Sequence, residues 1–323
     1  MPIPNDAEPG GPPRRSLWPT LARIAVAAAL LGFLLTRTGV APLAQVLGRT
    51  NPFLFLAAVG LFASGQMIGA LRWWAITREA GFAVSRAACL RICWTGMFAG
   101  IAIPSTVGTD GVRTFLLGRQ APGRTLALST VVFDRLIGLA TLLLVALAAL
   151  AADRADGLPV ELRAAVTSLA LLLSGTLAGL PLLLRWLPAE SRLGRLAARH
   201  LRPFVTKPKL FAVTALASFC VHGLQIAAQK TLTEALDLDL PWGLVAIYHP
   251  LVVLAAAIPI TPGGLGVREA AYAWLLGEAG VPIDDAVALS LLWWAVGVSV
   301  GLSGGLVWLS ERRRRPAPDV SPD

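Results

Sequence analysis

The apolar residues of this chain are gathered into runs long enough to cross a bilayer, and few folds can accommodate that arrangement. The runs lie at roughly 18–36, 52–71, 128–152, 164–184, 210–229 and 283–309, bounded by arginines or by Pro and Gly. A helix needs about 20 apolar residues to span a hydrocarbon layer of about 30 Å. Two further stretches, about 86–103 and 242–260, each run into a Gly-rich break. Composition points the same way: 55% of residues are apolar and only 15% charged, where a soluble domain has about a quarter charged. Mean hydropathy is +0.67. The longest gap between runs, 185–209, is too short for a soluble core. The expected fold is therefore all-α, that of a polytopic integral membrane protein.

Sliding the chain on itself by 155 residues aligns IPSTVGTDGVR (103–113) with IPITPGGLGVR (258–268). Ile, Pro, Thr, two Gly, Val and Arg recur in the frame I-P-x-T-x-G-x-x-G-V-R, and the neighbouring apolar runs fall into register. This predicts two copies of a unit of about 100 residues. Repeat one covers about 52–152, a linking helix 164–184, and repeat two about 207–309. The span at 18–36 is then an extra N-terminal helix, read as an uncleaved anchor after Arg14 and Arg15. A single transmembrane domain over 16–311 results, flanked by disordered tails at 1–15 and, after a basic run, at 312–323.

Charge orients the chain. If 86–103 and 242–260 are re-entrant hairpins, the N-terminus, 72–91, 113–124, 185–209 and the C-terminus share one side. That side holds most of the 28 Lys and Arg. Only Arg37, Arg49, Arg154, Arg163, Lys230 and Arg268 fall opposite, while Arg23 and Arg135 lie within spans. The positive-inside rule makes the rich side cytoplasmic, with both termini there and the protein in the cell inner (plasma) membrane. The count of crossings between equivalent points is odd, which makes the repeats inverted. About six full crossings and two re-entrant helical hairpins follow, or eight crossings if each hairpin spans fully. The net charge of +9 thus reports topology, and no nucleic-acid partner is expected.

Irregular backbone at membrane depth must be buried or line a wet cavity. The first break carries Pro104, Gly108 and Gly111, the second Pro259, Pro262, Gly263, Gly264 and Gly266; Pro removes a donor and Gly frees the backbone. Each break leads into Gly-Val-Arg, beginning new segments at 113–119 and 268–277. Exposed amides beside Arg113 or Arg268 would cradle an anion, and a phosphate is the anion a membrane supplies. A tight turn with an interfacial Arg is the other reading. Asp134 and Arg135 sit inside a span, where a charge costs at least about 3 kcal/mol unless paired or wet. Adjacent positions on a helix point apart, so Asp110, Arg113 and Glu269 are the expected partners. His222, Gln225 and Gln229 form one polar helix face, with His249 nearby, and suit interhelical hydrogen bonds. The pairs Gly65/Gly69, Gly175/Gly179 and Gly297/Gly301 predict close helix contacts. Trp18, Trp73, Trp74, Trp186, Trp242 and Trp308 suit an interfacial belt.

The chain has no Walker loop, Cys-x-x-Cys, His-Glu-x-x-His or dinucleotide fingerprint. Cys89 and Cys93, one turn apart with no His or carboxylate beside them, do not close a metal site. No cofactor, metal or catalytic residue is expected.

The run IPITPGGLGVREAAYAWLL resembles the Pro-x-x-Pro-Gly-Gly-x-Gly-x-x-Glu pattern of the lysylphosphatidylglycerol synthase transmembrane-region family, also called flippase-like domain proteins. IPSTVGTDGVRTFLLGR and VVFDRLIGLATLL resemble that family's first loop and its acidic-Arg pair, with Asp134 where Glu is commoner. The resemblance covers about 18–310 and omits the soluble aminoacyl-transferase domain, so lysyl transfer is not implied. It implies membership in a group linked to moving or handling envelope lipids, and the expected function is movement of a phosphate-bearing or lipid-linked envelope component between leaflets. Arg113 and Arg268 would hold phosphate, with Asp110, Asp134, Arg135 and Glu269 balancing charge. The two loops would meet in one polar cleft near the midplane. Two alternatives stay open. One is a non-transporting accessory that binds a lipid-linked substrate for a partner glycosyltransferase or envelope-lipid synthase; the other is a permease for a small anion.

Overall fold

The computed structural model describes residues 40–102, 106–152, 159–186, 190–191, 195, 204, 207–257, 261 and 264–314. The span expected at 18–36, Pro104, Pro259, Pro262 and Gly263, most of 185–209 and both tails lie outside them. Within them every regular element is a helix: α1 (Val40–Gly48), α2 (Pro52–Glu79), α3 (Arg86–Ala102), α4 (Thr106–Leu117), α5 (Arg124–Ala151), α6 (Val160–Trp186), α7 (Pro208–Ala235), α8 (Trp242–Ala257), α9 (Val267–Gly277) and α10 (Ile283–Arg314). Four stretches are long and apolar enough to cross a membrane: Pro52–Glu79, Arg124–Ala151, Pro208–Ala235 and Ile283–Ser310. The protein is membrane-embedded, and every regular element among its described residues is helical.

The spans overrun their hydrophobic runs. α2 and α7 are each 28 residues long, extending seven or so residues beyond 52–71 and 210–229. Both begin with Pro at the first turn, where the missing amide costs nothing and φ is preset. Asn51 caps α2 by accepting from the amides of Phe53 at 3.0 Å and Leu54 at 3.4 Å. The extension puts Arg72 inside α2, not in the loop after it, and Lys230 inside α7, where it pairs with Glu234 at 3.3 Å. α1 follows no feature of the hydrophobic pattern.

The four helices α2–α5 and the four helices α7–α10 pack by one scheme. α2 and α7 form the most extensive pair, α3 packs on α10, and α8 packs on α5. Within the sets, α3 meets α4 and α4 meets α5, as α8 meets α9 and α9 meets α10. Exchanging the two sets leaves the list of pairs unchanged. Two apolar clusters close the ends. One joins Trp73, Ile76, Cys89, Leu117, Ala127 and Leu210, so α3 starts and α4 finishes at the same end. The other joins Leu232, Leu244, Val245, Leu275, Leu276 and Ala286, so α8 starts and α9 finishes at the opposite end.

Lipid tails are as apolar as leucine, so helices in a bilayer associate by close packing at small residues and by polar links. Gly96 and Gly100 of α3 face Thr109 of α4, where an added Cβ would sit tightly at Gly96, 3.1 Å from the Thr109 carbonyl oxygen, and collide with the threonine hydroxyl at Gly100. On α10, a Cβ at Gly304 would strike the Trp94 carbonyl, and one at Gly301 would lie 2.7 Å from Ile101. Of these, only the contact at Gly301 was expected from the sequence. Of the expected pairs, Gly65 and Gly69 make ordinary contact with α7, whereas Gly175, Gly179 and Gly297 have nothing within 4 Å. Trp73, expected at an interface, is wholly buried, because its indole Nε1 donates to Thr130 Oγ1 at 3.1 Å. Trp186 and Trp242 are exposed as a belt requires.

Candidate functional site

The two breaks differ in structure. In the second, Gly264 (φ +71°) and Gly266 (φ +81°) adopt the left-handed region, which side chains disfavour, and α9 begins directly after Gly266 as expected. Gly264 also packs so closely on Ala256 of α8 that a Cβ would sit 2.9 Å from its side chain. In the first, the helix already starts at Thr106, so Gly108 and Gly111 are helical and not loop residues. The sequence explains this: Pro262 and Gly264 are replaced by Val107 and Thr109, and nothing there interrupts the hydrogen-bond ladder. Arg113 consequently lies two turns into α4 instead of at its start.

Helical placement brings five charges together in the first half. Asp134 lies ten residues into α5, about 15 Å from its start at 1.5 Å per residue. Its Oδ2 accepts from Arg113 Nη2 at 3.0 Å and its Oδ1 from Arg72 Nε at 2.8 Å. All three side chains are nine-tenths or more buried. Arg72 Nη1 also donates to Ser218 Oγ of α7 at 2.6 Å, and the Arg113 guanidinium stacks 4.3 Å from the Trp73 ring centroid. Asp110 Oδ1 accepts from Arg113 Nη1 at 3.4 Å. Its two oxygens also accept Arg135 Nε and Nη2, both at 2.8 Å. Arg135 is 53% exposed, on the same face of α5 as exposed Leu128 and Val132. The cluster therefore runs from a buried end at Arg72 to an open end at Arg135. Three guanidinium groups and two carboxylates leave one positive charge in excess.

The second half is arranged otherwise. Glu269, fully buried, accepts from the Gly266 amide at 2.6 Å, from Ser290 Oγ at 3.1 Å and from Arg268 Nη2 at 2.5 Å. At the helix start expected to cradle an anion, the chain's own Glu269 carboxylate takes the Gly266 amide, which is the N3-to-N-cap half of a capping box. Among the described residues no ion pair joins Arg113 or Asp134 to Arg268 or Glu269. Each guanidinium found its carboxylate within its own half, since burying an unpaired ion is far costlier than pairing it locally. A row of polar groups on α7 bridges the interval. Ser218 meets Arg72, His222 Nε2 pairs with the Gly138 carbonyl at 2.9 Å, Gln225 Oε1 lies 3.4 Å from His249 Nε2, and Gln229 donates to the Tyr272 hydroxyl. These are interhelical links, as expected of the polar face.

Residues 20–304 match the family model of the lysylphosphatidylglycerol synthase transmembrane region. The chain belongs to this family. No curated protein and no solved structure matches the chain. Of this family member's charged residues, Arg72 escaped the sequence reading, because it stands at the edge of a run and its partner is 62 residues away.

Proposed function

We propose that this protein moves a phosphate-bearing or lipid-linked envelope component between leaflets of the cell inner membrane. The observation that carries the reading is the uncompensated positive charge of the Arg72–Asp134–Arg113–Asp110–Arg135 cluster, open at Arg135 about a dozen residues along a membrane-spanning helix. A charge at that depth is costly unless it is wet or paired, and a phosphate supplies the missing anion. The Arg135 fork on Asp110 has the bidentate geometry that suits a phosphate equally well. In this reading the headgroup displaces Asp110, and Arg113, whose buried Nε has no partner among the described residues, adds a donor behind it. Arg268 and Glu269, neutral as a pair, hold the second half in shape.

The reading takes α3–α4 and α8–α9 as re-entrant hairpins in an inverted repeat. At about 1.5 Å per residue, α4 and α9 are about 18 and 17 Å long, well short of the hydrocarbon thickness. Each hairpin returns to its own end, and the pairing scheme is unchanged when the halves are exchanged. Such halves permit alternating access by rocking around a fixed site. The end bearing Arg78, Arg86, Arg91, Arg119 and Arg124 is assigned to the cytoplasm, with both termini. The whole span from 16 to 311 acts as one transmembrane domain, and no catalytic step is assigned to it.

The test is headgroup translocation in proteoliposomes, using fluorescent phospholipids bearing glycerol, aminoacyl-glycerol and ethanolamine headgroups. Wild type should move at least one of them faster than empty liposomes, and Arg135→Gln should reduce that rate at least tenfold. Wild type no faster than empty liposomes for every headgroup would overturn the reading. Co-purification with a glycosyltransferase or lipid synthase would then support the accessory role.

A further inference from the structure

A second feature, separate from the charge cluster's open end, lies on the outer face of the α2–α7 pair. A lateral groove of about 220 Å³ opens there, floored by Ile68, Leu71 and Ala75 of α2 and Val213 and Ala217 of α7, with Arg72, the buried end of the charge cluster and already paired with Asp134, in its wall. Leu71 and Val213 are 38% and 49% exposed. Both flanking helices are long and apolar enough to span a membrane, so the groove faces hydrocarbon. Its size suits one stretch of acyl chain and is below that of a typical small-molecule pocket.

The rim is cationic. Trp74 lines the groove and is fixed in place because its Nε1 donates to the Val84 carbonyl at 3.0 Å. Two guanidinium groups gather on this indole: Arg86 at 4.5 Å and Arg78 at 5.3 Å from the ring centroid. Both arginines are exposed. Neither has a carboxylate partner among the described residues, since the nearby Glu79 is taken by Lys207. An apolar slot in the bilayer, ending at two unneutralised cations on an aromatic platform, has the form of one lipid: chain below, phosphate above.

We propose that this groove binds an anionic phospholipid of the leaflet at the arginine-rich end. One acyl chain lies along Ile68, Leu71 and Ala217, and the phosphate lies against Arg78 and Arg86. Zwitterionic lipids fit the slot but forgo part of the charge attraction, because their own cation opposes that of the rim. The site does not depend on translocation and goes beyond that reading.

Native mass spectrometry of the full chain in detergent tests it, with phosphatidic acid and phosphatidylcholine of identical chains as probes. Wild type should retain one phosphatidic acid at least tenfold more tightly than phosphatidylcholine. Ala217→Leu, which fills the slot, should weaken both lipids. The paired change Arg78→Gln with Arg86→Gln alters only exposed side chains and should bring phosphatidic acid down to the phosphatidylcholine level. Equal affinity of wild type for the two lipids overturns the proposal, as does undiminished preference in the paired arginine variant. These two readings decide the matter even if Ala217→Leu fails to fold. Translocation by the paired variant at the wild-type rate, together with lost binding, would separate this site from the transport site.

Discussion

Arg72 and Asp134 are 62 residues apart in the chain, yet Nε of the first donates to Oδ1 of the second at 2.8 Å. Among the described residues Asp134 is the one carboxylate that pairs with both Arg72 and Arg113, so it fastens α2, α4 and α5 to one another. Its second oxygen is taken by Arg113, and through Ser218 the same network reaches α7.

Removing that carboxylate strands two buried guanidinium groups. Asp134→Ala should destabilise the protein by about 3–5 kcal/mol, the usual consequence of deleting one partner of a buried ion pair. Asp134→Glu, which keeps the charge, should cost less than half as much. Unfolding in mixed micelles with increasing denaturing detergent measures both, and similar losses for the two variants would contradict the assignment.

Arg135 should behave in the opposite way. Its side chain is half exposed and its pair with Asp110 is open, so Arg135→Gln should change stability by no more than about 1 kcal/mol. The same variant should lose most of the translocation. Arg135→Lys keeps the charge but not the fork and should fall between, because a point charge cannot reproduce bidentate recognition.

In the second half, Glu269 accepts one amide, one hydroxyl and one guanidinium group. Glu269→Gln should cost about 3 kcal/mol by leaving Arg268 without its counter-charge. Ser290→Ala removes a neutral hydrogen bond and should cost about 1 kcal/mol. A parallel unfolding series gives the ratio, and equal losses would place the stabilisation elsewhere.

Glycine substitutions separate contacts that pattern reading treats alike. Gly304→Ala pushes a methyl into the Trp94 carbonyl and should cost about 1–3 kcal/mol through displacement of α10 from α3. Gly297→Ala meets open space and should be neutral or stabilise by up to about 1 kcal/mol, since alanine is the better helix former. Melting of the two variants side by side checks the difference.

Much of the architecture was legible because the bilayer is an unforgiving solvent. A run such as 128–152 has no other way to satisfy its backbone than a helix, and α5 occupies Arg124–Ala151. The linking run 164–184 is likewise α6, Val160–Trp186. The motif at 258–268 also announced its own helix start, because Gly266 needs a backbone that only glycine adopts readily. The matching motif at 103–113 misled in one respect: its frame is shared, but Val107 and Thr109 stand where Pro262 and Gly264 break the second copy.

The charged residues mark the boundary between the two kinds of information. From the sequence alone came the membrane, the broken helices and the conclusion that Asp134, within a span, must have a partner. Those conclusions rest on the cost of polar groups in hydrocarbon, which depends on residue type and local spacing. Which partner it has was decided by tertiary structure. Arg72 reaches Asp134 from α2, and Arg113 and Asp110 reach the cluster from α4; the separation of Arg268–Glu269 into its own site depends on how two helical sets pack. Distances between elements arise from packing at positions such as Gly100 and Gly304, and no periodicity along the chain encodes them.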